Sequence, residues 1–162
     1  MERVTFANAW LTRTPAAPSS LWVWRVSQAL WNQSLLEIRK MEFIKSNDVL
    51  VLTNEGVESH QLLSPHNSKS DKVTITHVII EPGSSQPRHK HSDSEQIWIA
   101  LSGNAKLLLE NDSSIDFHQG DIVRFEIKEI HGLLNQSSQK FEYMTVTSPP
   151  MNFESSYSQK LY

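Results

Sequence analysis

Between residues 49 and 147, short runs of β-favouring residues alternate with turn-forming ones, and this rhythm leaves few folds open. The runs fall at 49–52, 61–63, 73–81, 96–101, 105–109, 122–125 and 141–147. Between them lie Pro82-Gly83, Ser102-Gly103-Asn104, Asn111-Asp112 and Gly120-Asp121. Strands this short cannot bury an apolar face alone, so they must pair into a barrel or a sandwich. The stretch 41–153 is long enough to close one modest core.

Residues 1–40 read differently. Pro15-Ala16-Ala17-Pro18-Ser19-Ser20 is a linker or turn, and Ser20 can cap a helix in which Trp22, Val26, Ala29, Leu30 and Leu36 recur at helical spacing. Two expectations stand for this segment. It is a surface helix packed on the main domain or on a partner, or it is an upstream extension without a role, the natural start being Met41. The expected division is therefore an N-terminal extension (1–40), a β-barrel (41–153) and an irregular Ser-rich tail (154–162).

Composition removes several function classes. The formal net charge is −3 and Lys and Arg are scattered, so no nucleic-acid partner is expected. The most apolar stretch, 19–36, is interrupted by Arg25, Gln28, Asn32 and Gln33, which argues against a membrane-spanning helix or a secretory signal. Cysteine is absent, so there is neither a disulfide framework nor a thiolate metal site. A cytoplasmic location fits this, and any metal must be held by histidine and oxygen.

The chemistry concentrates in two segments. The first runs from Gly83 to Gly103 and contains His89-Lys90-His91, with Glu95 and Gln96 following. On an extended strand, residues i and i+2 share a face, so His89 and His91 can converge on one ion while Arg88 and Lys90 point away. Imidazole suits zinc, iron, nickel and copper. Taken alone, a His-x-His pair is more often two polar residues beside a turn. The second segment runs from Gly120 to Asn135 and contains His131.

Together these segments resemble the paired motifs of the cupin superfamily, in particular its small single-domain, conserved-barrel members. Gly83, His89, His91, Gly103, Gly120, His131 and Asn135 fall in register with the family pattern. The resemblance implies an all-β fold, a double-stranded β-helix or jelly-roll barrel, across most of residues 49–150. It also implies one divalent transition metal (Zn, Fe, Ni or Mn) on His89, His91 and His131. Two departures stand out. Where the family has Pro-x-Gly before the second-motif histidine, this chain has Glu126-Ile127-Lys128, and Lys128 is strained if that turn needs positive φ. The fourth ligand is open between Glu95 and Gln96. Counting back from Gly103 favours Gln96, which then shares an inward face with Trp98 and Ala100.

Other polar residues carry weaker expectations. Glu95, His77 and Tyr143 are the candidate catalytic acid–base groups, and Arg124 and Trp98 the candidate substrate-binding residues. A strand histidine or aromatic is more often plain core or surface, and Arg124 can simply face solvent. Three neutral imidazoles and an amide leave the charge of a divalent ion uncompensated, which favours an anionic ligand. The expectation is a Lewis-acid lyase or isomerase acting on a small carboxylate or sugar-acid-like substrate. An oxygen-dependent dioxygenase is the alternative if Glu95 ligates, and a non-catalytic binding or sensing cupin is the third reading. Family members of this size often pair, so a homodimer is expected by resemblance.

Overall fold

The computed structural model describes residues 41–157, and the helix expected within 1–40 lies outside them, as do residues 158–162 of the tail. Strand follows strand: β1 (Leu50–Asn54), β2 (Val57–Leu63), β3 (Thr74–Ile80), β4 (Ser85–His89), β5 (Glu95–Ser102), β6 (Asn104–Leu109), β7 (Ser114–His118), β8 (Ile122–Phe125), β9 (His131–Leu134) and β10 (Phe141–Ser148). A single helical turn, α1 (Glu154–Tyr157), follows.

The strands form two antiparallel sheets. The larger has the order β1-β2-β3-β10-β5-β8, and the smaller has the order β4-β9-β6-β7. This is the expected all-β double-stranded β-helix. The sequence runs in the large sheet became strands. β4, β7 and β9 were not among those runs, and all three belong to the small sheet.

Alternation fixes the inner face. Along β3, Thr74, Thr76, Val78 and Ile80 are buried while Ile75, His77 and Ile79 are less so. Along β10, Phe141, Tyr143, Thr145 and Thr147 are buried in the same manner. Burial of one face specifies register, because a one-residue slip would turn the whole inner set outward. The core comprises Val57, Val78, Ile80, Trp98, Ala100, Ala105, Leu107, Phe117, Phe125, Leu133, Phe141 and Tyr143. Its aromatic rings meet in tilted and edge-on pairs, such as Trp98 with Tyr143 at 4.6 Å and Trp98 with Phe125 at 5.0 Å.

The motif residues divide between site and scaffold. Gly103 turns β5 into β6 at φ +81°, and a Cβ there would lie 2.6 Å from the Lys140 carbonyl oxygen, so only glycine fits. Asn135 is fully buried and structural: its Nδ2 donates to the carbonyls of Ile80 (3.0 Å) and Gln139 (2.8 Å). Both contacts lie at the barrel end away from the histidines.

Candidate metal centre

The three motif histidines meet at one end of the barrel. β4 ends on His89, β9 begins on His131, and strand pairing sets these two residues opposite each other. His91 lies just past the end of β4 rather than within a strand. The ligand-capable atoms of His89, His91 and His131 all lie within 4.8 Å of one another. Close approach of the strands makes this possible. A Cβ on Gly132 would lie 2.8 Å from the Gln86 carbonyl oxygen and 3.0 Å from the Arg88 nitrogen, so glycine lets β9 press against β4 beside His131.

Each ring is oriented by its surroundings. The Nδ1–H of His89 donates to the Pro87 carbonyl at 2.8 Å, and that of His131 to the Glu129 carbonyl at 2.8 Å. A carbonyl can only accept, so both rings turn an unprotonated Nε2 elsewhere. His131 is also stacked on Phe125, with ring centroids 4.3 Å apart and planes at 14°. His91 Nε2 is buried and has no hydrogen-bond partner.

Gln96 completes the cluster. It is 3% exposed and lies on the inner face with Trp98 and Ala100. Its Oε1 accepts from Trp98 Nε1–H (2.9 Å), and its Nε2 donates to Thr147 Oγ1 (2.9 Å). The same Oε1 stands 3.1 Å from His131 Nε2. A neutral imidazole holds one N–H, yet His131 faces an oxygen at each nitrogen. Reversing the Gln96 amide only moves the conflict to Trp98, whose indole can only donate. Protonating His131 would resolve it, but burial, then positive charge on His89, lowers that imidazole's pKa to about 3. His91 is lowered to about 4 for the same two reasons, and burial lowers His89 as well. At neutral pH the cluster therefore presents lone pairs to one another. A cation is the group that satisfies such a set, and the donors suit a divalent transition metal.

The remaining predicted residues lie elsewhere. Glu95 points outward from β5, where its Oε2 accepts from Arg124 Nη2 (2.6 Å) and Nε (2.9 Å). Arg124 also pairs with Glu126 and stays about half exposed, so it faces solvent rather than the barrel interior. His77 occupies the outer face of β3 and pairs with Glu142 at 2.9 Å. Tyr143 is fully buried and donates its hydroxyl to Gln86 Oε1 at 2.5 Å; burial pushes its pKa well above the usual range. Trp98 is buried beside His131, in an edge-on contact at 5.3 Å. Lys128 has φ +69°, and its N–H donates to the His91 carbonyl at 2.8 Å. The Glu129 carboxylate accepts from the Glu126 N–H at 2.8 Å, so this turn is closed by a side chain.

A set of inward residues was not foreseen. Ser59 and Gln61 on β2, Thr74 and Thr76 on β3, and Thr145 and Thr147 on β10 are each at most 5% exposed. Register joins them, with Gln61 opposite Thr76, Thr76 opposite Thr145, and Thr147 opposite both Thr74 and Gln96. The interior at the histidine end is thus hydroxyl- and amide-lined on β2, β3 and β10, with Trp98 and Phe125 against His131, and it is apolar beyond. The signal was readable: along each of these strands the inward residues change from polar to apolar at one point. Among the described residues, none of the buried ones is Lys, Arg, Asp or Glu.

A small antiparallel two-sheet barrel with a buried histidine cluster defines the cupin class. Residues 76–147, the stretch that holds β4 to β9 with most of β3 and β10, match the family model described as Cupin domain. A curated relative, the uncharacterized protein MJ1618 of Methanocaldococcus jannaschii, is 27% identical over 119 residues, covering 74% of this chain and 93% of its own. A double-stranded β-helix protein from Klebsiella pneumoniae superposes with a TM-score of 0.57 at 18% identity, over 68% of this chain and 91% of that one. A predicted oxalate decarboxylase from Thermotoga maritima gives 0.57 at 21% identity, over 66% and 98%. At these identities the solved structures establish the shared fold. No helix among the described residues is long and apolar enough to cross a membrane.

Proposed function

We propose that this cupin is a metal-dependent enzyme of lyase or isomerase type. It holds one divalent transition metal through His89, His91, His131 and Gln96, and acts on a small carboxylate or sugar-acid-like substrate. One observation carries the reading. His131 Nε2 and Gln96 Oε1 face each other as acceptors at 3.1 Å, with both orientations fixed by other partners. Bound there, the ion supplies Lewis acidity to a ligand oxygen.

The chain's own residues then have defined tasks. Trp98 and Thr147 fix the Gln96 amide, and the Pro87 and Glu129 carbonyls fix two of the imidazoles. All four would-be ligands are neutral, and no buried cation competes among the described residues, so an anionic group is drawn to the ion. Thr76, Thr145 and Gln61 offer hydrogen bonds to an uncharged, hydroxylated remainder. Of the three acid–base candidates, Tyr143 alone faces the interior, and at neutral pH it acts as a proton or hydrogen-bond donor. The oxygen-dependent alternative has less support, because the carboxylate it needs, Glu95, is engaged by Arg124 on the outer face.

The test is elemental analysis of protein purified without a His tag or chelator. Close to one transition-metal ion per chain is expected, with most of it lost in His89→Ala and His131→Ala. Metal-free wild type overturns the reading. Turnover of a substrate with zinc under anaerobic conditions supports the Lewis-acid form. A strict need for iron and oxygen replaces it with the dioxygenase.

A further inference from the structure

The chain beyond β10 does not leave the barrel. The Pro149 carbonyl accepts from Ser94 Oγ at 2.8 Å, just ahead of β5. The Thr74 hydroxyl donates to the Met151 carbonyl (2.9 Å) and accepts the Met151 N–H (3.0 Å), so one side chain serves as a strand partner. Thr74 is fully buried and opens β3 at the histidine end. Two residues after Met151, Phe153 stands edge-on to His91, with centroids 6.1 Å apart and planes at 76°. α1 then packs on β1, and Tyr157 returns to the core cluster. Residues 149–157 therefore run from the β5 side of the large sheet to its β1 edge, across the end where the imidazoles meet.

Two further observations bear on how this segment is held. His91 Nε2 is buried with no hydrogen-bond partner, and next to the His91 ring, along with those of His89 and His131, stands that of Phe153. The outer flank of the segment is open to solvent. A groove of about 680 Å³ opens beside the contact of α1 with β1, lined by Val51, Leu52 and Thr53 of β1 and by Asn152 and Tyr157. Asn152, Glu154, Ser155 and Ser156 are exposed. Segments with few buried contacts open at a small fraction of the global unfolding free energy.

We propose that residues 149–157 form a strap over the histidine centre and that Phe153 is the residue governing access to it. A ligand reaching His91 must displace or slide past this ring, which makes Phe153 a determinant of ligand size. The inference goes beyond the metal reading and does not depend on it, since it concerns access to the imidazole itself.

The experiment uses the metal-free full chain and diethyl pyrocarbonate, which acylates unprotonated imidazole nitrogen. Peptide mass spectrometry at neutral pH follows His91, with His118, exposed on β7, as internal standard. Phe153→Ala is expected to raise the His91 rate about tenfold relative to His118, which corresponds to about 1.4 kcal/mol off the barrier to access. Phe153→Leu, which restores apolar cover, should stay near wild type. Thr74→Val, which removes both anchors to Met151, should shift His91 in the same direction as Phe153→Ala. An unchanged His91 rate in Phe153→Ala overturns the strap. An equal rise at His91 and His118 also overturns it, since that marks general loosening. Protection of His89, His91 and His131 by added zinc reports separately on the metal reading.

Discussion

Replacing Lys128 by glycine is expected to stabilise the protein. Lys128 sits at φ +69°, where its Cβ crowds the backbone. An L-residue held there loses about 1–2 kcal/mol. Glycine removes that strain but orders a more flexible unfolded chain, which costs about 0.5–1 kcal/mol. The net gain is about 1 kcal/mol, or roughly 4 °C in Tm for a domain of this size. The backbone bond from residue 128 to the His91 carbonyl (2.8 Å) survives the change. Urea denaturation and calorimetry of the full chain measure the gain. Lys128→Ala is the control, because alanine keeps the Cβ and should gain nothing. A neutral or destabilising Lys128→Gly, or an equal gain in Lys128→Ala, refutes the reasoning.

Three other substitutions or conditions give distinct expectations. Gln96→Ala should lower metal affinity more than Glu95→Ala, as measured by competition with a chromogenic chelator. It should also destabilise the metal-free protein by about 1–3 kcal/mol, because Trp98 Nε1–H loses its acceptor. Glu95→Ala breaks only an exposed ion pair and should cost at most about 1 kcal/mol in urea denaturation. Gly132→Ala should push β9 from β4 and weaken both stability and metal binding, since the new methyl meets backbone at 2.8 Å; unchanged values would show that the sheet yields freely. Acid should destabilise the metal-free protein. His131 and His91 are held near 3 and 4 when folded against an ordinary 6.5, so the unfolded state binds more protons in between. The stability is complete well above about pH 6.5 and falls as pH drops, by the order of 2 kcal/mol from each of the two imidazoles at about pH 5, read from urea midpoints.

The large sheet was legible because its strands carry an unmistakable period of two. In β5 and β10, inward and outward positions alternate over eight residues each, and Gln96, Trp98 and Ala100 take the inner face as the spacing required. The small sheet was opaque for physical reasons. β4 reads Ser-Gln-Pro-Arg-His, and its Pro87 is tolerated because β4 is an edge strand whose register shifts between Gln86 and His89. β7 buries only Phe117, and β9 is four residues long with a glycine inside. Such strands are held by their neighbours and not by their own pattern. The histidine cluster was legible from motif spacing. The outward placement of Arg124, Glu95 and His77 was not, because it depends on which face each strand turns inward. The polar interior went unread for the opposite reason: Thr74, Thr76, Thr145 and Thr147 favour strands regardless of what they face.

The change from polar to apolar along the barrel interior separates two kinds of selective constraint. Ile80, Phe141, Leu107, Leu133 and Phe117 fill the far end and contribute much of the hydrophobic stabilisation. At the near end, beside Trp98 and Phe125, small hydroxyl and amide side chains stand on strands secured in part by that remote packing. A substitution at Gln61, Thr76 or Thr145 removes little apolar contact. Under the proposed function the chain is therefore free to alter its ligand without first acquiring a compensating increase in stability, and its descendants can diverge while keeping one barrel.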